Sequence, residues 1–181
     1  MVGPSMSSPE MIPVTTIRTM TEADLEPASR LAAQLVALHH RWDAARFFTT
    51  PDVEGGYQRF FRSQLGQPGV LLLVAEREGA VVGYLYGSRE GRDWARLLDP
   101  HGAIHDLFVD PGARHRGVAR ALLDEAAAHF RREGLLQVVL SSASSNVEGQ
   151  ALFRKLGYRP TMVEMTLDLS PGKPRGARGS G

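Results

Sequence analysis

Apolar positions along the chain alternate between helical and strand-like spacing. Residues 14–19 form a short β-prone run. Thr21 then offers an N-cap, with Asp24 as the acidic member of a capping box, and Leu31, Leu35 and Leu38 repeat at helical spacing up to His39. A second helix is predicted over 54–65, with Tyr57, Phe60, Phe61 and Leu65 as its apolar stripe, ended by Gly66 and Pro68. Residues 70–76 are almost continuously apolar, and 80–87 follow across Glu78-Gly79, which reads as a hairpin. A loop is expected over 91–102. A strand over 103–109 is closed by Asp110-Pro111-Gly112. Val118, Leu122, Ala126 and Phe130 mark one face of a helix over 116–133, stopped by Gly134. A buried strand over 135–140, a short helix over 146–156 and a period-two strand through Val163, Met165, Leu167 and Leu169 complete the order.

The order is β-α-α-β-β-β-α-β-α-β, without internal repeat. It predicts an α/β (α+β) domain over residues 14–169, with a mixed central sheet of about six to seven strands flanked by four helices. The continuous apolar middle strands fit a sheet covered on both faces. Residues 1–13, with three prolines, are expected to be a flexible leader. Residues 170–181, poor in apolar side chains, are expected to be a disordered tail.

Composition narrows the function classes. The 181-residue chain is 43% hydrophobic and 23% charged, with a net charge of +1. Such a balance gives no field suited to nucleic acid or an anionic membrane. There is no cysteine, which removes disulfides, thiolate metal sites and a cysteine nucleophile. No apolar run reaches the roughly 20 residues that span a bilayer. A cytoplasmic protein is expected.

The candidate chemistry lies where strand 103–109 turns into the long helix, at Arg114-x-x-Gly117-x-Ala119. A helix start leaves amides without intrahelical acceptors, and its dipole is positive there. Phosphate suits such a place. Gly117 has no Cβ to hold an anion away, Ala119 stays small, and Arg114 and Arg116 add charge. Neither a Walker-type Gly-Lys-Ser/Thr nor a Gly-x-Gly-x-x-Gly is present. On this pattern alone, an ordinary strand–turn–helix with solvated arginines stands beside an anion site.

With Asp106 to Pro111 before it, this pattern resembles the acetyl-CoA motif of the GNAT superfamily of N-acetyltransferases. Asn146 to Tyr158 is similar to that family's Asn-x-x-Ala-x-x-Leu-Tyr-x-x-x-Gly-Phe segment. The element order is also the family's, and the resemblance covers residues 14–169. It implies acetyl-CoA as cosubstrate, lying in the splay between two central parallel strands, 104–109 and 135–141. Phe108 and Val109 would offer backbone groups to the pantetheine. The amides across Arg114, His115, Arg116, Gly117, Val118, Ala119 and Arg120 would hold the pyrophosphate. Asn146 would touch the cofactor arm, cap its helix, or both. The acetyl group would pass directly to an amine of a small molecule or a protein, with no metal.

Two departures matter. The family often has Tyr where this chain has Phe153, and Phe donates no proton. Either the domain only binds acyl-CoA, or the acid is dispensable because a thiol of pKa about 8.5 leaves tolerably as thiolate. Glutamate-dependent members place their base where this chain has Ala103. Some members carry a histidine at the position of His105, and an imidazole titrating near about 6.5 suits a general base. His105 is therefore the candidate base, with a structural histidine as the alternative. Strand alternation sends Asp106 to the opposite face, as a structural residue. Tyr158 is expected in the core. For the acceptor, Asp43, Glu164, Asp93 and Trp94 are candidates, and Trp42 and Phe47 read as core or pocket wall. His39, His40 and Asp43 lack the geometry of a metal site. A homodimer is expected from the family.

Overall fold

The computed structural model describes residues 14–169. The expected leader and tail lie outside the described residues. Five strands form one sheet in the order β1-β2-β3-β4-β5: β1 Thr16–Thr19, β2 Val70–Arg77, β3 Ala80–Glu90, β4 His101–Val109 and β5 Val138–Leu140. The first four run antiparallel to their neighbours, and β5 pairs parallel with β4. The helices are α1 Leu25–Trp42, α2 Val53–Gln64, α3 Val118–Arg132 and α4 Val147–Lys155.

The continuous apolar run of β2 is explained by a sheet covered on both sides. Leu71, Leu73 and Ala75 pack with α3 through Val118, Leu122, Ala126 and Phe130. Leu72 and Val74 face the other way, onto Leu25, Leu31 and Leu35 of α1 and Phe61 of α2. The Phe130 ring lies against Gly102, where an added Cβ would collide with it. Gly102→Val is expected to cost roughly 1–3 kcal/mol by overpacking. Thermal unfolding measures this, and an unchanged Tm would contradict it.

Thr21 and Asp24 meet as a capping pair, but on a 3-10 turn, Glu22–Asp24, that leads into α1. The buried Asp24 carboxylate also accepts from Arg18 at 2.7 and 2.8 Å, while Arg18 bridges to Glu76. The Arg18 guanidinium, with the Thr21 donors, holds the Asp24 carboxyl down to about 2 against the opposing effect of burial. A lowered folded-state value stabilises the fold above the ordinary carboxylate range and is lost as pH falls through about 2. Asp24→Asn is expected to remove on the order of 2 kcal/mol at neutral pH and to flatten the fall in urea midpoint between roughly pH 4 and 2. An equally steep fall in the variant would contradict this.

Five expectations about the sheet need correction. The sheet has five strands among the described residues, not six or seven. The expected strand over 135–140 shortens to three residues, because Leu135 is used to end α3 by donating to the Phe130 carbonyl, and Leu136 is 94% exposed. The parallel pair is not central among the described residues, where β5 is an edge. The period-two segment over 163–169 pairs with no strand among the described residues: alternation specifies a strand's faces but supplies no partner edge. Strand β4, conversely, starts earlier than expected, at His101 inside the predicted loop.

Candidate active site

Strand β4 ends in a tight turn in which the Asp110 carboxylate accepts from Gly112 N at 2.8 Å. A 3-10 turn over Pro111–Ala113 follows. His115 and Gly117 then take left-handed backbones, with φ of 60° and 78°. Gly117 is the N-cap of α3, and Ala121 N is bonded to its carbonyl. The amides of Val118, Ala119 and Arg120 precede that first bond and have no helical acceptor. The first turn holds no acidic side chain. The positive end of a 15-residue helix is thus left uncompensated, and His115, Arg116, Gly117 and Arg120 around it are exposed.

The side chains here do different work from their amides. Val118 is core, and Ala119 is half-buried against the same cluster, so its small size also serves packing. Arg114 folds back: its Nε donates to the Val109 carbonyl at 3.2 Å and its guanidinium lies over the Phe108 ring. Apart from the local chain around it, no atom of the described residues lies within 4 Å of where a Gly117 Cβ would be. Its glycine is required by backbone conformation and by whatever occupies that open space, and not by a protein neighbour.

Beside this helix start, β4 and β5 part. They pair only from Gly102↔Val138 to Ile104↔Leu140, and β4 then runs on to Val109 without a partner on that side among the described residues. The Phe108 and Val109 side chains are buried in opposite cores, 6% and 7% exposed, which leaves only their backbone to face a ligand. A splay of this kind, next to a helix N-terminus, fits an extended thioester arm carrying a pyrophosphate.

The parting coincides with a β-bulge. Tyr86 pairs with Asp106 and Gly87 with Ile104, so His105 is the extra residue. The bulge puts His105 and Asp106 on the same face, toward α1 and α2, and this corrects the expectation from simple alternation. His105 stacks beside Tyr86, with centroids 4.9 Å apart. Its Nε2 lies 2.6 Å from Ser88 Oγ, and Ser88 in turn donates to the Glu90 carboxylate. One hydroxyl proton cannot serve both partners. With Ser88 donating to Glu90, the imidazole carries its proton on Nε2 and leaves the Nδ1 lone pair free. Ser88 and Glu90 lie beyond Gly87, the predicted end of β3, and so are absent from the candidates that the sequence supplies. The period-two series Tyr84, Tyr86, Ser88, Glu90 is the signal that β3 continues.

Asp106 accepts from the Tyr84 hydroxyl at 3.3 Å. Burial pushes its carboxyl up, opposed by hydrogen bonds from Tyr57 and Tyr84. Burial and this carboxylate together push the Tyr57 and Tyr84 phenols up, so both remain donors. His105, Asp106, Tyr57 and Tyr86 open onto a cleft of about 2200 Å³ that Trp42 and Phe47 also line.

The other candidates divide. Asn146 caps α4, its side chain accepting from Gly149 N at 3.1 Å and donating to Ser142 Oγ. Phe153 lines the cleft, half-buried, and packs edge-on against Tyr158 at 6.0 Å. Tyr158 is itself half-buried, and burial, with Asp124 nearby, pushes its phenol up. Asp43 is spent on a turn, accepting from the amides of Ala45 and Arg46. Asp93 does the same for Ala95 and Arg96, beside the 77% exposed Trp94. Glu164 is paired with Arg46 at 2.6 Å. His39 and His40 bond different carbonyls, of Leu35 and Phe47.

Comparison with known proteins shows a family match and a shared fold. Residues 35–158 match the Acetyltransferase (GNAT) family. The chain is 30% identical over 144 residues to the N-alpha-acetyltransferase RimI of Mycobacterium tuberculosis, covering 80% of this chain and 78% of that protein. It is 28% identical over 149 residues to the mycothiol acetyltransferase of Propionibacterium freudenreichii subsp. shermanii, covering 78% of this chain but 43% of that protein. The chain thus spans less than half the length of the mycothiol acetyltransferases it matches. A solved structure of a Bacillus halodurans protein superposes with a TM-score of 0.75 at 20% identity, covering 86% of this chain and 99% of that one. The aminoglycoside N-acetyltransferase AAC(6')-Iy in complex with CoA superposes with a TM-score of 0.66 at 18% identity, covering 90% and 98%.

Proposed function

Because the chain belongs to the Acetyltransferase (GNAT) family, we propose that it is an acetyl-CoA-dependent N-acetyltransferase that passes the acetyl group directly to an amine. The observation that carries this reading is the bulge at His105. It places a hydrogen-bonded imidazole at the point where β4 leaves β5, between the helix start that suits a pyrophosphate and the open cleft beside α1 and α2. Acetyl-CoA supplies the activated acetyl thioester and nothing else.

The chain's own residues do the rest. The amides of Val118, Ala119 and Arg120, with His115, Arg116 and Gly117 around them, receive the pyrophosphate. The backbone of Phe108 and Val109 aligns the arm and polarises the carbonyl. Asn146 and Phe153 border the arm from α4. An amine acceptor enters by the cleft and loses its proton to His105 Nδ1, while the Ser88–Glu90 chain holds the ring by its Nε2–H. The N–C bond forms as the C–S bond breaks, and the thiolate takes its proton from water, since Phe153 has none to give.

The relay has a separate test. Glu90→Ala is expected to lower kcat several-fold with KM for acetyl-CoA unchanged, and Glu90→Gln to restore it, because an amide oxygen still accepts from Ser88. Equal activity of all three proteins would remove Glu90 from the relay.

The acceptor is a small-molecule or protein amine, and the relatives' names favour a peptide N-terminus or an amino sugar. Asp106, at the inner end of the cleft, is the carboxylate we assign to draw in a cationic acceptor. The reaction needs acetyl-CoA, and in this reading the chain works in the cytoplasm; the homodimer rests on the family resemblance alone. Residues 14–169 make up the catalytic domain.

Phe153 favours a second reading, a module that binds acyl-CoA without turnover. Release of CoA thiol with a panel of peptide and sugar amines separates the two. Release that depends on an amine supports the transferase, whereas tight acetyl-CoA binding with no release supports the module.

A further inference from the structure

The cleft carries more aromatic rings than the core uses. Phe61 and Tyr84 are fully buried and pack in the cluster with α1. Phe60, Trp42 and Phe47 belong to neither core cluster, yet all three line the cleft. Phe60 is 37% exposed, and Tyr57 and Tyr86 are half-buried. Successive side chains of a helix point about 100° apart, so an α2 that buries Phe61 turns Phe60 aside. Phe60 thus faces the cleft at no benefit to the core.

The rings form a run that ends on the candidate base. Tyr57 meets Phe60 edge-on at 6.3 Å, and Phe60 meets Tyr86 edge-on at 5.2 Å. Tyr86 lies beside His105 at 4.9 Å. At the end of α1, His39 lies 5.1 Å from Trp42 and 4.8 Å from Phe47. Both sets line the same cleft. A further ring that continues such an edge-on series gains attraction beyond the area it covers.

The polar groups beside these rings are already committed. Of the carboxylates that line the cleft, Asp43 holds a turn, Asp52 caps α2, Asp99 pairs with Arg92 and Glu164 pairs with Arg46. Asp106 has no arginine or lysine partner among the described residues and is met by the Tyr57 and Tyr84 phenols. A polyhydroxylated body laid along this wall would press hydroxyls against ring carbons and leave them unpaired, which is unfavourable. A flat apolar body gives up only its own hydration there. One carboxylate beside a run of rings therefore suits a cation on an aromatic body, and ring faces themselves attract a cation.

We propose that the amine acceptor carries an aromatic ring, which packs on Phe60 and Tyr86 while its amino group meets Asp106 beside His105. The fate of the amine rests on the transferase reading, whereas the ring site stands on the cleft alone. Tyr86 touches His105 and Phe60 touches Tyr86, so only a short linker separates ring from amine. A ring two carbons from the amine has that shape. Phenethylamine and a peptide with an N-terminal phenylalanine both supply it.

Calorimetry with phenethylamine, the dipeptide Phe-Gly and glucosamine reads this site without acetyl transfer, on the free chain and on the chain saturated with CoA. At least one aromatic amine is expected to bind roughly 10-fold more tightly than glucosamine. Tighter binding of phenethylamine marks a small arylalkylamine as the acceptor, and tighter binding of Phe-Gly marks a peptide. Phe60→Ala is expected to weaken the aromatic amine roughly 10-fold and to leave glucosamine and CoA unmoved. Glucosamine bound as tightly as both aromatic amines, an aromatic amine whose affinity survives Phe60→Ala, or no amine binding at all would overturn the proposal. A chain that binds the aromatic amine but not CoA would strike the transferase reading and leave the ring site standing.

Discussion

Gly117→Val is expected to weaken acetyl-CoA binding by roughly 10–100-fold, read by calorimetry. Two effects combine. The residue sits at φ 78°, where an L side chain costs about 1–2 kcal/mol and a β-branched one more. The chain at this N-cap therefore relaxes away from the backbone that presents the Val118–Arg120 amides. The valine side chain also fills space where no residue outside the local chain comes within 4 Å of a Cβ, which is the space assigned to the pyrophosphate. Because there is no neighbour to clash with in the free protein, the loss in stability is confined to the backbone term, and the loss in affinity exceeds it. Gly117→Ala is expected to show the same direction with a smaller size. Unchanged affinity in both variants would place the cofactor elsewhere.

His105→Ala is expected to lower kcat/KM by roughly 10²–10³-fold near neutral pH, the range lost when a positioned base is removed. The acid limb of the pH–rate profile should flatten, since that limb reports protonation of the base. The dissociation constant for acetyl-CoA should not move, because His105 lies on the face toward α1 and α2, away from the helix start. A variant with wild-type kinetics on a verified acceptor would show that the Ser88–His105 contact is structural. Rate lost together with acetyl-CoA affinity would indicate a collapsed β4, and Tyr86, which stacks on the ring, is the residue whose fluorescence would report that.

Much of this molecule is legible in its amino-acid sequence. The helices with Leu31 and Leu35, with Phe61, and with Leu122 and Phe130 follow from period, because each buries one stripe. The β2–β3 hairpin follows from its apolar runs and the Glu78-Gly79 turn. The segment suited to phosphate is visible because a glycine at a helix start has few other uses. What is not legible depends on pairing. The bulge at His105 is a property of β4 against β3, and a one-residue insertion reverses the face of Asp106 without any local sign. The Ser88–Glu90 chain is hidden for the same reason, since it joins residues brought together only by register. The segment after Pro160 has the alternation of a strand, yet alternation names no partner. Whether it pairs depends on an edge that the chain's own fold does not bring to it.

Acetyl-CoA lying in the splay between β4 and β5, with its pyrophosphate on the start of α3, would perturb a defined set of backbone amides. Chemical shifts of the ¹⁵N-labelled chain, followed while acetyl-CoA is titrated, read that set residue by residue. The largest changes are expected at Val109, Gly117, Val118, Ala119 and Arg120, with smaller ones at Phe108 and Asn146. Saturable changes confined to the α1–α2 side of the cleft, with the Gly117–Arg120 amides unmoved, would contradict this placement of the cofactor.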